Sequence, residues 1–122
     1  MLDLTNLEKK GAFISPELVK KTAVWKHVDK EAGDPKKGFI IEDEISFWVK
    51  QASWLEFKEA IDGIKLDERG KPLNNEALSV AACVRLGEDG TQRLTYEKVS
   101  KLETQLYYIF RNAVFEVYAP KG

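Results

Sequence analysis

The sequence predicts an α+β fold, a small antiparallel strand pair with three to four helices of which the C-terminal one is long. Three observations carry that prediction. Ala23, Trp25 and His27 alternate with Val24, Lys26 and Val28, and Ile45, Phe47 and Val49 alternate with Ser46, Trp48 and Lys50. This is the period-two pattern of strands rich in β-branched and aromatic residues. Ser53-Trp54-Leu55-Glu56 is a capping box ahead of apolar residues at helical spacing. Between Val99 and Val117 the apolar side chains fall on a single helical stripe.

Composition bounds what such a fold does. With 122 residues the chain has the length of one domain, 1–122. A chain of that size removes roughly two-thirds of its unfolded surface from water and needs no metal or disulfide to hold a core. Its single Cys excludes an internal disulfide and a Cys-rich zinc site. No run of about 18 apolar residues is present to span a membrane. Acids at Asp3 and Glu8 stand where a secretory signal has a basic patch, so the expectation is a soluble, intracellular protein. Residues 1–38 hold eight Lys against six acids, and residues 39–122 hold eleven cations against fourteen acids. Lys9-Lys10, Lys20-Lys21 and Lys36-Lys37 are separated by acids, and the pI is near 5.9. Nucleic-acid binders usually show a basic face and a pI above about 9, so no nucleic-acid partner is expected.

Taken in order, residues 1–14 read as a flexible leader ending in Ala12-Phe13-Ile14. Ser15-Pro16-Glu17 is a helix-start signal, with a hydroxyl to cap, proline at the first position and an acid near the positive end of the dipole. It predicts a turn or two of helix before the strand around Trp25. Asp29 to Asp43, with two glycines, a proline and a high density of charge, predicts a long mobile loop between the strands. The Ser53 helix follows, through Trp54, Phe57, Ala60-Ile61 and Ile64, and weakens at Gly63. Asp67-Glu68-Arg69-Gly70-Lys71-Pro72-Leu73-Asn74 is a second loop without the glycine pattern of a phosphate cradle. Residues 75–86 fit either a helix capped by Asn74 or Asn75 or a buried strand, and their length and end signals tilt toward helix. Gly87-Glu88-Asp89-Gly90 is a turn. Thr95 caps a final helix of about six turns, with Val99, Leu102, Leu106, Ile109, Phe110, Ala113, Val114 and Val117 along one stripe.

The chain offers little reaction chemistry. His27, the single imidazole, has no nucleophile elbow to serve and reads as a surface or packing residue. Cys83 lies among Ala81, Ala82 and Val84, an apolar setting that raises a thiol's pKa and makes it inert. Glu42-Asp43-Glu44 would point to both sides of a strand, and Glu88-Asp89 sits in a turn; neither follows the calcium-loop spacing. No catalytic, cofactor or metal residue is assigned. What remains is aromatic surface. Tyr96, Tyr107, Tyr108, Phe115 and Tyr118 spread around the final helix beyond one stripe, and Trp25 shares a face with Ala23 and His27 while Trp48 sits opposite Phe47, so both faces of the strand pair carry large apolar groups and want covering. Either the domain's own core or a second polypeptide covers them. Tyr107, Tyr108, Phe115, Tyr118, Trp25 and Trp48 are the candidate protein-binding residues, for a partner or for self-association.

The order of elements carries a resemblance. A Lys-rich start, the Trp25 strand, a charged loop, Ile45-Ser46-Phe47-Trp48-Val49-Lys50 and a Ser-capped helix precede Ala77-Leu78-Ser79-Val80-Ala81-Ala82-Cys83-Val84 and Glu88-Asp89-Gly90. Then Leu94-Thr95-Tyr96-Glu97-Lys98-Val99, with Leu102, leads into the last helix. Over roughly residues 18–118 this resembles the tail assembly chaperones of long-tailed bacteriophages, with Leu94 where relatives often carry an aromatic. The resemblance implies a non-catalytic protein of the infected host's cytoplasm, absent from the mature virion. Such a protein binds the tape measure protein and helps recruit tail tube subunits of the major tail protein. It also implies a longer form made by programmed frameshifting, and Ala119-Pro120-Lys121 is compatible with a slippery C-CCA-AAG stretch. The competing expectations are a small structural or adaptor subunit of another assembly and, further off, an enzyme or nucleic-acid binder.

Overall fold

Four antiparallel strands in the order β1-β2-β3-β4 form the sheet among the residues described by the computed structural model, 3–28, 40–61 and 74–118. β1 (Val19–Val28) and β2 (Ile40–Val49) pair over their full length, from Val19 opposite Val49 to Val28 opposite Ile40. β3 (Val84–Leu86) pairs with Trp48 and Val49, and β4 (Gln92–Arg93) closes the order. Five helices accompany it: α1 (Leu4–Lys9), α2 (Trp54–Ile61), α3 (Asn75–Cys83), α4 (Tyr96–Ser100) and α5 (Thr104–Tyr118). The α+β class and the long C-terminal helix are as the sequence predicts. The sheet is larger than a strand pair, because short β3 takes its pairing from β2 and β4 takes its pairing from β3 rather than from patterns of their own, and the helices are one more than four.

The period-two pattern sorts the hairpin as the sequence indicates. Val19, Lys21, Ala23, Trp25 and His27 are half-buried and alternate with exposed residues. Opposite them Ile45, Phe47 and Val49 become more buried toward the sheet centre. α5 lies on this face, where the Phe47 and Phe110 rings meet edge to face at 4.8 Å. Val49, Val80, Val84, Val114 and Cys83 form the driest part of the core.

On the other face, cover from the described residues reaches only the Trp48 end. Its indole N–H donates to the Gly87 carbonyl at 3.1 Å, and the 87–90 turn folds over the ring. Val24 and Ile40, farther along, stay exposed. Gly90 adopts φ +71, and a Cβ there would stand 2.9 Å from Leu18 Cδ1 and 3.2 Å from Trp48. Left-handed backbone and close approach both call for glycine. Gly90→Ala is expected to cost about 1–3 kcal/mol, read as a lowered urea midpoint with the m-value unchanged.

Several local expectations are corrected. Residues 1–14 include a helix capped by Asp3, whose side chain accepts from the Asn6 N–H. The Ser15 signal starts no helix: its Oγ accepts from the Glu17 N–H at 3.2 Å in a local turn. The chain then enters β1, because a one- or two-turn helix gains less than a ten-residue ladder. Residues 40–43 of the expected loop belong to β2; residues 29–39 lie outside the described residues, as do Gly63, Ile64, residues 67–73 and Ala119-Pro120-Lys121.

Residues 75–86 are both alternatives in succession. Asn74 caps α3 by accepting from Ala77 N–H at 3.0 Å. The helix then stops at Cys83, whose carbonyl takes the Lys50 N–H at 3.0 Å as Val84 pairs with Val49. Thr95 caps as predicted, with its hydroxyl accepting from Lys98 N–H, but the expected six-turn helix is broken. Lys101 and Leu102 turn back to the Lys98 and Val99 carbonyls, and the Glu103 carboxylate caps a new helix through Gln105 and Leu106 N–H groups. The apolar spacing runs through the break because Leu102 and Leu106 both stay half-buried against the core.

A candidate interaction surface on the last helix

α5 meets the core through Phe110, Ala113 and Val114, which are buried, and through the half-buried Leu106, Ile109 and Val117. The same helix carries Tyr108, 43% exposed, and Phe115, 53% exposed. Arg111 lies between them at the i, i+3, i+7 spacing of one helix face. Its guanidinium carbon is 4.7 Å from the Tyr108 ring centroid and 5.6 Å from that of Phe115, a cation flanked by two π-systems. At the N-terminal end of this strip Tyr108 borders a cavity of about 270 Å³ lined also by Ala77, Val99, Leu102 and Tyr107. Tyr108 belongs to both the strip and the cavity, whose lining also includes the polar Ser100 and Thr104.

The other candidate aromatics have internal duties. Tyr107 is half-buried and its hydroxyl donates to Glu76 at 2.7 Å; burial and that carboxylate push its pKa well up. The Tyr118 hydroxyl accepts from the Ala52 N–H at 2.8 Å and lies 3.6 Å from Cys83 Sγ, although the ring is 45% exposed. Burial of the hydroxyl pushes its pKa up to about 12. Tyr118→Phe leaves the buried Ala52 N–H without its acceptor, with an expected loss of about 1–3 kcal/mol in a urea denaturation series.

Trp25 stacks on His27 with centroids 3.7 Å apart and donates its indole N–H to Glu103 at 2.9 Å. That hydrogen bond, with those from the α5 backbone, holds the Glu103 carboxyl below its ordinary pKa. Trp25 thus ties the hairpin to the start of α5, and Trp48 is held by its turn. Trp54, expected on the apolar face of its helix, is 77% exposed, while Phe57 and Ala60 face inward.

The groups with potential for chemistry are engaged structurally. His27 Nε2 lies 2.6 Å from Asp43 Oδ2, and Nδ1 is 3.3 Å from the Val28 carbonyl. Cys83 is buried, which pushes its thiol pKa up against a partial offset from the Tyr118 hydrogen bond. Among the described residues no group of three or more His, Cys, Asp or Glu side chains could hold a metal ion, and no helix is long and apolar enough to cross a membrane. Sequence reasoning did not single out Arg111 and Glu76, though the former's place midway between Tyr108 and Phe115 was legible from helical spacing alone.

Fold and surface together describe a small α+β domain whose longest helix covers the sheet with one side and displays rings around a cation on the other. A family model described as phage tail assembly chaperone matches residues 5–118. The chain belongs to the phage tail assembly chaperone family. Protein partners in tail assembly follow from that membership. No curated protein and no solved structure matches the chain.

Proposed function

We propose that this chain is a non-catalytic chaperone that binds the tape measure protein, keeps that long chain soluble, and helps recruit tail tube subunits of the major tail protein. The observation that carries the reading is the family match across residues 5–118. The surface suits such a role. A helix-in-groove contact needs exposed apolar anchors on a rigid element, and Tyr108 and Phe115 offer them, Tyr108 at the rim of the cavity it shares with Tyr107. The charged residues, 32% of the chain, oppose self-precipitation. We place the protein in the host cytoplasm, acting before the tail is complete, and infer a longer frameshifted form arising near Ala119-Pro120-Lys121.

Affinity purification of the tagged chain from infected cells, paired with mass spectrometry of purified virions, tests this. The expected result is tape measure protein in the eluate and none of the chain in mature particles. Stoichiometric chain in the virion would instead identify a structural or adaptor subunit.

A further inference from the structure

Resting on the reading that α5 meets the tape measure protein, we infer that the segment it takes is an amphipathic helix with a carboxylate between two apolar anchors, and that Arg111 selects for that carboxylate. Tyr108 and Phe115 are seven residues apart, about 10 Å along the helix, a span matched by anchors two turns apart on a partner helix. Arg111 sits between them, with one long ion pair as its counter-charge. Glu76, its nearest acid, is 3.9 Å away and already accepts the Tyr107 hydroxyl. Nη2 is met by the neutral Asn112 Oδ1 at 3.2 Å. Nε is buried and, among the described residues, has no hydrogen-bond partner. The side chain nonetheless remains 30% exposed.

The buried Nε is out of an incoming ligand's reach, but the Nη groups, held between the rings, are suited to a carboxylate, which a guanidinium binds through a planar fork. A second copy of this chain is the poorer occupant. Pairing the strip with itself about a two-fold axis sets Arg111 against Arg111, and like charges across an interface oppose binding. That pairing disfavours a second copy, and the acid is assigned to the tape measure protein.

The test titrates soluble fragments spanning the phage's tape measure protein against wild type, Arg111→Gln, Arg111→Glu and Phe115→Ser. Wild type is expected to bind a fragment, with Arg111→Gln weaker by about tenfold and Arg111→Glu by about a hundredfold. Reversing one acidic residue of that fragment to Arg is expected to weaken wild type and restore binding to Arg111→Glu, an outcome a misfolded variant does not give. Undiminished binding by both Arg111 variants alongside loss in Phe115→Ser overturns the inference, as does failure of every client charge reversal to rescue. Absence of binding by wild type itself contradicts the proposed function, and appears before any substitution is made.

Discussion

Glu56→Gln is expected to cost about 3–5 kcal/mol and to lower the melting temperature by at least about 10 °C. One carboxylate here serves three groups. Oε2 accepts from Arg85 at 2.6 Å and lies 2.9 Å from Lys50 Nζ, and Oε1 accepts from the Ser53 N–H and hydroxyl at 3.2 Å. Arg85 is only 5% exposed, and its other hydrogen bonds go to the Ala82 and Val84 carbonyls. Glutamine keeps the shape and removes the charge, stranding a buried guanidinium. Because typical domains are stable by about 5–15 kcal/mol, the loss is a large fraction of the whole. A measured cost under about 1 kcal/mol would mean that Arg85 finds water or another acceptor.

The same site gives a pH dependence. Burial pushes the Glu56 carboxyl up, but the hydrogen bonds from Lys50 and the Ser53 N–H, with the Lys50 and Arg85 charges, outweigh it and leave the pKa below the ordinary value. A carboxyl depressed in the folded state adds stability that is fully present above its unfolded pKa, about 4.3, and fades as pH falls through the lower folded value. Urea midpoints of wild type are therefore expected to drop below about pH 4.3, and those of Glu56→Gln to drop less over the same window. Parallel curves for the two proteins would remove Glu56 as a source.

The second large effect is on binding. Tyr108→Ser with Phe115→Ser is expected to weaken tape measure binding at least about a hundredfold, since exposed rings at the centre of an interface are frequent hot spots. The melting temperature should move by only a few degrees, because neither ring belongs to the buried core. Tyr107→Ser and Tyr118→Ser should behave in the opposite way, lowering stability through lost internal hydrogen bonds. Isothermal titration and thermal melts on the three variants separate the two classes. Binding loss only in parallel with melting loss would place Tyr108 and Phe115 among the groups that hold the fold.

Much of this fold was legible wherever the instruction is local. The Ser53–Glu56 box, the Thr95 cap and the period-two hairpin each need only residues a few positions apart, and each forms as its sequence indicates. The misreadings fall where a distant partner decides. Ser15 carries good helix-start chemistry, yet the chain beyond it is claimed by β2. Cys83 ends its helix because Lys50 and Val49 take over the backbone hydrogen bonds there. The kink at 101–103 is invisible in an apolar stripe that keeps its phase through it.

The surface divided along the same line. Counting rings identified α5 as over-supplied, but Tyr107 and Tyr118 were separated from Tyr108 and Phe115 only by Glu76 and Ala52, which come from elsewhere in the chain. Trp54 shows the limit of helical spacing as a guide to burial: it starts the capped helix in phase with Phe57, yet its first-turn position leaves it open to solvent.

Hydrogen–deuterium exchange on the chain, alone and with the tape measure protein bound, probes the contact at α5 most directly. Slower exchange concentrated in Thr104–Tyr118 and the first turn of α3, with the hairpin unchanged, is the expected result. A complex that forms while those amides exchange as before, with protection confined to the β1–β2 hairpin or to α2, would contradict it.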